Sequence, residues 1–174
     1  MRLRDIVLGA MLAAVAVAIP LTFGFARIII PPSYTATLAS HVPIMVAMFI
    51  GPMAAGVAGL GSAFGFLVAL GPDIGARAAT HIVWGILGAY LYRGGMSPVW
   101  VLGITLPIHA LAEALVLLPF GISLAAAFLI TGLGTAAHHA LDAVITLAVV
   151  GTLVRAGLAF PEMRGRGRKQ PRVK

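Results

Sequence analysis

Apolar runs long enough to cross a bilayer, separated only by short turns that contain glycine or proline, dominate this 174-residue sequence. Only 10% of the residues are charged, and the mean hydropathy is +1.04. A soluble domain carries about 25% charged residues because its surface must face water. Most of the surface of this chain must instead face lipid, so we expect an integral membrane protein.

The positions of the turns predict six helices. A membrane span needs roughly 20 residues, so six spans and their turns use almost the whole chain. We therefore predict an all-α fold, a bundle of six transmembrane helices over residues 1–158, followed by a basic tail at 159–174. Glycines at 132 and 134 are expected to divide the last apolar run, and the prolines at 31 and 32 predict an irregular loop over 27–37. The predicted helices cover residues 5–23, 38–50, 53–70, 74–92, 99–118 and 135–156.

The basic residues predict the orientation of this bundle. Six spans put both termini on one side of the membrane. If that side is the cytoplasm, it receives ten of the 12 lysines and arginines, and the outer side receives only Arg27 and Arg77. Six of the ten lie in the tail, where we expect them to meet anionic lipid rather than nucleic acid. Both termini are thus predicted to be cytoplasmic.

Ionisable side chains inside membrane segments are costly and usually face a cavity. Most of those in this chain map to the outer half of the predicted bundle, some of them at i, i+4 spacing on one helix face. Their convergence at one level predicts a pocket for a polar ligand. The candidate substrate-binding residues are Arg77, His81, Trp84, Tyr34, Thr35, His41, Glu113, His138, His139 and Asp142.

Four of these residues suggest how a ligand would be held. The guanidinium of Arg77 can hold a carboxylate with paired hydrogen bonds. Trp84 can stack on an aromatic ring, and the loop that carries Tyr34 and Thr35 can close over the pocket.

Each candidate also has a purely structural interpretation. Arg77 would then neutralise Asp73 or Asp142, and His41 would donate a hydrogen bond to a loop carbonyl. The i, i+4 pairs at 109/113 and 138/142 would hold neighbouring helices together.

Small residues form a stripe on the first predicted helix. Ala10, Ala14 and Ala18 recur at spacing four, which lets a second helix approach closely. The stripe either packs inside this bundle or docks a partner subunit.

Three stretches resemble the niacin-specific S-components of energy-coupling factor (ECF) transporters, the membrane subunits that bind the substrate in a class of bacterial ABC importers. They are Thr37-Leu-Ala-Ser-His-Val-Pro-Ile-Met-Val-Ala-Met-Phe-Ile-Gly-Pro52, Arg77-Ala-Ala-Thr-His81, and Gly132-Leu-Gly-Thr-Ala-Ala-His-His139 with Asp142. The resemblance covers essentially the full chain, including its length and the long loop after the first helix.

The resemblance implies a vitamin importer in the bacterial plasma membrane, with the ligand held near the outer face under the loops after helices 1, 3 and 5. Nicotinate suits the polar residues described above. The alanine stripe would dock a transmembrane coupling subunit. ATP hydrolysis would belong to two partner ATPase subunits, since the chain has no Gly-x-x-x-x-Gly-Lys-Ser/Thr motif. No enzymatic activity, cofactor or bound metal is expected.

Three alternatives stay open. S-components share a fold but bind different vitamins, so the fold alone does not identify the ligand; folate, riboflavin and a queuosine-type precursor are the other candidates. Five histidines raise the alternative of a nickel or cobalt permease subunit, although Arg2 occupies the position where such subunits carry histidine. An intramembrane hydrolase is the third alternative, in which the pair His138 and Asp142, or the pair at 109 and 113, would bind a metal or act as general base. Against it, the sequence has no His-Glu-x-x-His motif, and Ser62 has no evident base partner.

Overall fold

Six α-helices and one β-hairpin make up the part of the chain that the computed structural model describes, residues 3–157 and 160. Short 3₁₀ turns follow α1 and α5. Except for Phe160, the predicted basic tail lies outside the described residues. The elements are α1 (Leu3–Thr22), β1 (Arg27–Ile30), β2 (Tyr34–Thr37), α2 (Val42–Met48), α3 (Pro52–Leu70), α4 (Pro72–Arg93), α5 (Pro98–Val116) and α6 (Leu133–Arg155).

The prediction of an α-helical bundle is confirmed, and its apolar helices are consistent with a membrane location. Among the described residues, α1, α3, α5 with its following turn, and α6 with the segment before it have the length and hydropathy of a membrane span. The 22-residue α4 is long enough, but it carries the polar side chains of the candidate site. The predicted second span is instead a helix of seven residues. It is only about 10 Å long and cannot cross a core of about 30 Å by itself.

The loop after α1 was predicted to be irregular, and this prediction was wrong. The loop contains an antiparallel hairpin in which Arg27 pairs with Thr37 and Ile30 pairs with Tyr34. The isoleucines of β1 and the threonines of β2 are typical strand residues. The two prolines lie in the connecting turn, where they remove no hydrogen bond from the ladder.

Helices α1 and α3 pack through small residues. A Cβ atom built on Gly61 would lie 2.6 Å from Cβ of Ala13, and one on Gly65 would lie 2.7 Å from Cα of Val17. The two backbones therefore touch where side chains are smallest. The stripe of Ala10, Ala14 and Ala18 lies on another face and is exposed, so its interpretation as packing within this bundle was wrong.

Helix α2 forms the centre of the bundle. Its residues from Pro43 to Met48 are buried, and it packs against α1, α3, α4 and α6. Its N-terminal end carries His41 into the interior, directly below the hairpin.

The expected break at Gly132–Gly134 is absent from the described structure. A π-helical segment, Ala126–Gly132, runs directly into α6. Gly134 instead provides space, since a Cβ atom there would lie 2.7 Å from the ring of Tyr34. The glycine signal thus marked a close approach of the hairpin rather than the end of a helix.

The two ends of the bundle differ in their contacts. At one end, the start of α1 meets the end of α4, where Asp5 Oδ2 lies 3.9 Å from Arg93 Nη2. At the other end, the hairpin covers the start of α4 and of α6. The candidate site residues lie at the hairpin end.

Candidate substrate cleft

A cleft lies under β2 among α2, α3, α4, α5 and α6. Its cavity volume is about 20 Å³, room for roughly one water molecule, so the cleft is nearly closed in this structure. Six of the ten predicted site residues line it. Its lining consists of Thr35, Ala36, Thr37, Ser40, His41, Phe66, Ile74, Arg77, Ala78, His81, Glu113 and His138.

The carboxylate of Glu113 is the centre of the polar network. Its Oε2 accepts hydrogen bonds from Arg77 Nη2 at 2.7 Å, from Arg77 Nε at 3.1 Å and from Thr135 Oγ1 at 2.6 Å. Its Oε1 lies 3.2 Å from Nε2 of His109 and 3.5 Å from Nε2 of His81. This carboxylate therefore joins α4, α5 and α6 at one point.

Arg77 is buried and paired inside the protein, but not with either partner named by the structural interpretation. Its partner is Glu113 rather than Asp73 or Asp142. The guanidinium also donates longer bonds to the hairpin, 3.4 Å from Nη1 to Ser33 O and 3.3 Å from Nη2 to Thr35 O. It lies 5.6 Å from the centre of the Tyr34 ring, within the range of a cation–π contact.

All five histidines of the chain meet around His41. Its ring centre lies 4.9 Å from that of His81, 4.6 Å from His109, 4.4 Å from His138 and 6.3 Å from His139. These side chains come from α4, α5 and α6 and from the loop before α2. The structure thus brings these polar side chains together, as the sequence predicted.

Behind the cleft, a second set of contacts fixes two of the imidazole rings. Nε2 of His139 lies 3.1 Å from the carbonyl oxygen of Leu102, and Nδ1 of His109 lies 3.0 Å from Nδ1 of His139. Ser62 Oγ lies 2.9 Å from Nδ1 of His81, so the expectation that Ser62 lacks a base partner was wrong. Since Ser62 is fully buried, its hydroxyl has no access to a substrate.

Asp142 ties the loop before α2 to α6. Its oxygens accept hydrogen bonds from the backbone N–H of Ala39 at 2.9 Å and of His41 at 3.0 Å. Oδ2 also lies 3.2 Å from His41 Nδ1 and 3.2 Å from His138 Nε2. The proposed contact of His41 with a loop carbonyl is therefore replaced by a contact with this carboxylate. Ala39 has φ 65°, and its bond to Asp142 helps to hold that left-handed conformation.

Tyr34 fastens the hairpin to α6. Its hydroxyl donates a hydrogen bond of 2.8 Å to the carbonyl oxygen of Gly134. Burial raises the pKa of Tyr34 to about 12, although the nearby Arg77 acts in the opposite direction. Tyr34 therefore keeps its proton at physiological pH and serves as a hydrogen-bond donor.

The predicted role of Trp84 in binding does not match the placement of its side chain. Trp84 is fully buried below the histidines and stacks on His109, with ring centres 4.6 Å apart and an interplanar angle of 32°. It does not line the cleft. Arg27 binds the carbonyl oxygen of Pro20 at 3.2 Å and thereby satisfies the C-terminal end of α1.

Sequence reasoning missed four polar residues at the site. Thr135 binds Glu113, and Ser33 bonds through its hydroxyl and its carbonyl to Thr131 Oγ1 on the π-helical segment. Thr37 and Ser40 line the cleft. Hydroxyl side chains are frequent in membrane helices and loops, so these residues gave no signal beyond their nearness to the predicted loop and to His139.

Comparison with known proteins supports the resemblance to niacin-specific S-components. Over 93 residues, which are 53% of this chain, the sequence is 37% identical to the niacin transporter NiaX of Lactococcus lactis subsp. cremoris. The match spans 41% of that protein's length. No family model matches the chain, and no solved structure is significantly similar to it. This similarity and the apolar helices together favour a multipass membrane protein.

Proposed function

We propose that this chain is the substrate-binding S-component of an ECF-type vitamin importer, and that its ligand is nicotinate or a closely similar small aromatic acid. The observation that carries the proposal is the buried cleft under the hairpin, in which Arg77 faces both Glu113 and the loop carbonyls. The similarity to a niacin transporter supports the same class of ligand.

The long bonds of Arg77 to the hairpin indicate where a carboxylate would bind. Glu113 Oε2 accepts two N–H groups of the guanidinium at 2.7 and 3.1 Å, whereas the carbonyls of Ser33 and Thr35 are held at 3.4 and 3.3 Å. A ligand carboxylate would displace these weakly held carbonyls and form shorter, charge-assisted bonds. The hairpin would then reposition over the ligand, which couples binding to closure.

Thr37 supplies a further polar group for the ligand. Its side chain is 1% exposed, lines the cleft, and among the described residues its Oγ1 has no hydrogen-bond partner. A buried hydroxyl without a partner is costly, so a ligand that bonds to it gains affinity. The ring nitrogen of a pyridine is an acceptor of suitable size for this hydroxyl.

We extend the proposal to topology and partners. The exposed stripe of Ala10, Ala14 and Ala18 would dock a transmembrane coupling subunit, and partner ATPases would supply the energy. The cytoplasmic side would be the end at which Asp5 meets Arg93, and the cleft would open towards the outside of a bacterial plasma membrane. The chain itself would have no enzymatic activity.

The ligand assignment is tested with variants of the cleft. Calorimetric titration of the purified chain should show that Thr37→Val weakens nicotinate binding by about 0.5–1.5 kcal/mol, because one hydrogen bond is lost. The matched control is Thr146→Val. The Thr146 hydroxyl contacts Met45 Sδ in the core at 3.3 Å, so its removal should leave the nicotinate affinity unchanged. Equal affinities of the wild type and Thr37→Val would remove Thr37 from the site.

The docking assignment needs a different readout. Ala14→Leu adds bulk to the exposed stripe and should abolish uptake in cells that contain the partner subunits, while nicotinate affinity of the isolated chain stays the same. Normal uptake by this variant would rule out the stripe as the docking face.

A further inference from the structure

We propose that Glu113 and three histidines at the floor of the cleft form a binding site for a divalent transition-metal ion. The ligands would be Nε2 of His81, Nε2 of His109 and Oε1 of Glu113, with His41 as a fourth ligand. One donor atom from each of these four residues lies within 4.8 Å of all the others. The site stands on this geometry and goes beyond the proposed function.

The hydrogen bonds behind His109 decide which of its nitrogens carries the proton. The carbonyl of Leu102 can only accept, so Nε2 of His139, 3.1 Å away, must donate. A neutral His139 then has a lone pair on Nδ1, and Nδ1 of His109, 3.0 Å away, must donate to it. A neutral His109 consequently directs the lone pair of its Nε2 towards Glu113.

This protonation pattern places two hydrogen-bond acceptors, Nε2 of His109 and Oε1 of Glu113, opposite each other. Nε2 of His109 lies 3.2 Å from Oε1 of Glu113, while Oε2 of the same carboxylate is already bound by Arg77 and Thr135. Nε2 of His81 lies 3.5 Å from the same Oε1 and, among the described residues, has no hydrogen-bond partner. A cation shared by the three donor atoms removes the repulsion between them.

The two contacts of Glu113 Oε1 suit a metal ion of zinc's size. Bonds of 2.0–2.1 Å in a tetrahedral site put neighbouring ligand atoms about 3.3 Å apart. The two separations from Glu113 Oε1, 3.2 and 3.5 Å, bracket this value. Imidazole nitrogens combined with one carboxylate oxygen favour Zn²⁺, Ni²⁺ or Co²⁺.

The supporting contacts are also those of a metal site. Histidines that bind metals usually donate the N–H of their other ring nitrogen to a neighbouring acceptor. His109 does so towards His139, and Nδ1 of His81 lies 2.9 Å from the hydroxyl oxygen of Ser62. Because His41 and His81 also line the cleft, the ion would lie at its floor and face the opening.

Metal titration of the full chain tests the proposal. The protein is purified with a tag that lacks histidine, treated with a chelator, and titrated with Zn²⁺ by calorimetry and with Co²⁺ by visible absorption. We expect one ion per chain and a Co²⁺ spectrum of tetrahedral nitrogen and oxygen coordination. Absence of binding would overturn the proposal and leave a shared proton between Glu113 and His109.

Variants separate this site from adventitious binding. His109→Gln should weaken Zn²⁺ binding by more than about 100-fold, and Ser62→Ala, which alters only the support of His81, by about 10–100-fold. Asp73→Asn, at the start of α4 and outside the site, should bind like the wild type. Zn²⁺ affinity that is the same in all variants would show adventitious binding and overturn the site. The Co²⁺ spectrum of the wild type tests the proposed coordination even if a variant fails to fold.

The metal titration contains no vitamin, so its outcome is independent of the proposed function. If nicotinate binds to the chelator-treated protein and Zn²⁺ does not bind, the metal site is wrong and the transporter assignment stands. If Zn²⁺ binds as expected and nicotinate does not, the metal site stands and the vitamin assignment fails.

Discussion

Breaking the pair between Arg77 and Glu113 should have the largest effect of any single charge removal in the described part of the chain. Glu113→Gln keeps the shape of the side chain but removes its charge. Both side chains are at most 5% exposed. The variant therefore leaves a buried guanidinium without a counter-charge, and such a change costs about 3–5 kcal/mol.

A double-mutant cycle isolates the interaction itself. Arg77→Met leaves the Glu113 carboxylate unpaired and should also cost about 3–5 kcal/mol. The double variant Arg77→Met with Glu113→Gln buries no unpaired charge and should be more stable than the sum of the single losses predicts, by about 2–3 kcal/mol.

The free energy of unfolding is measured by equilibrium denaturation in mixed detergent micelles. The control is Asp5→Asn, which removes the contact of Asp5 with Arg93. Those charges are 3.9 Å apart and Arg93 is 47% exposed, so the loss should not exceed about 1 kcal/mol. A loss of that small size for Glu113→Gln, or additive losses in the cycle, would refute the assignment of Glu113 as the centre of the network.

Three further predictions concern the hairpin and the packing of α1. Tyr34→Phe should cost about 0.5–1.5 kcal/mol because it removes the hydrogen bond to Gly134 O. The pKa of Tyr34 is raised to about 12, so the folded state keeps this proton to higher pH than the unfolded state does. The free energy of unfolding of the wild type should therefore fall between about pH 10 and 12. An equal fall in Tyr34→Phe would contradict this. Gly61→Ala should cost about 1–3 kcal/mol, since its Cβ would lie 2.6 Å from Cβ of Ala13, and Gly103→Ala, with nothing within 4 Å, is the matched control. Equal stabilities of the two glycine variants would refute the close packing of α1 on α3.

Sequence reasoning located the polar residues of the site but not their pairing. The i, i+4 spacing of His109 and Glu113 fixes their common helix face, and the cost of polar groups in lipid requires partners for them. Which partner Arg77 finds depends on the relative rotation and height of α4 and α5. Side-chain packing across the bundle determines these, and no local pattern records them.

The misassigned segments have a common physical cause. Prolines at 31 and 32 suggested an irregular loop because they cannot lie inside a helix, yet a hairpin accommodates them in its turn. The glycines near 134 suggested a break, whereas Gly134 admits the ring of Tyr34. Proline and glycine report which local backbone conformations are possible, and the tertiary contact that selects one of them is not visible in the sequence.

The predicted second helix was also misassigned because its tertiary contacts are not visible in the sequence. An apolar run of 13 residues at 38–50 was expected to form a short span, but only Val42–Met48 is helical. Because residues 43–50 are buried by the surrounding helices, their hydrophobicity reflects the core of the bundle rather than contact with lipid.

Equilibrium binding of nicotinate to the purified wild-type chain is the most direct test of the central claim. Calorimetry with nicotinate, nicotinamide and larger vitamins compares ligands that differ in charge and size. The account predicts saturable one-to-one binding of nicotinate and weaker binding of nicotinamide, which lacks the carboxylate that Arg77 would hold. Tighter binding of a larger vitamin, or no binding of any of them, would contradict it.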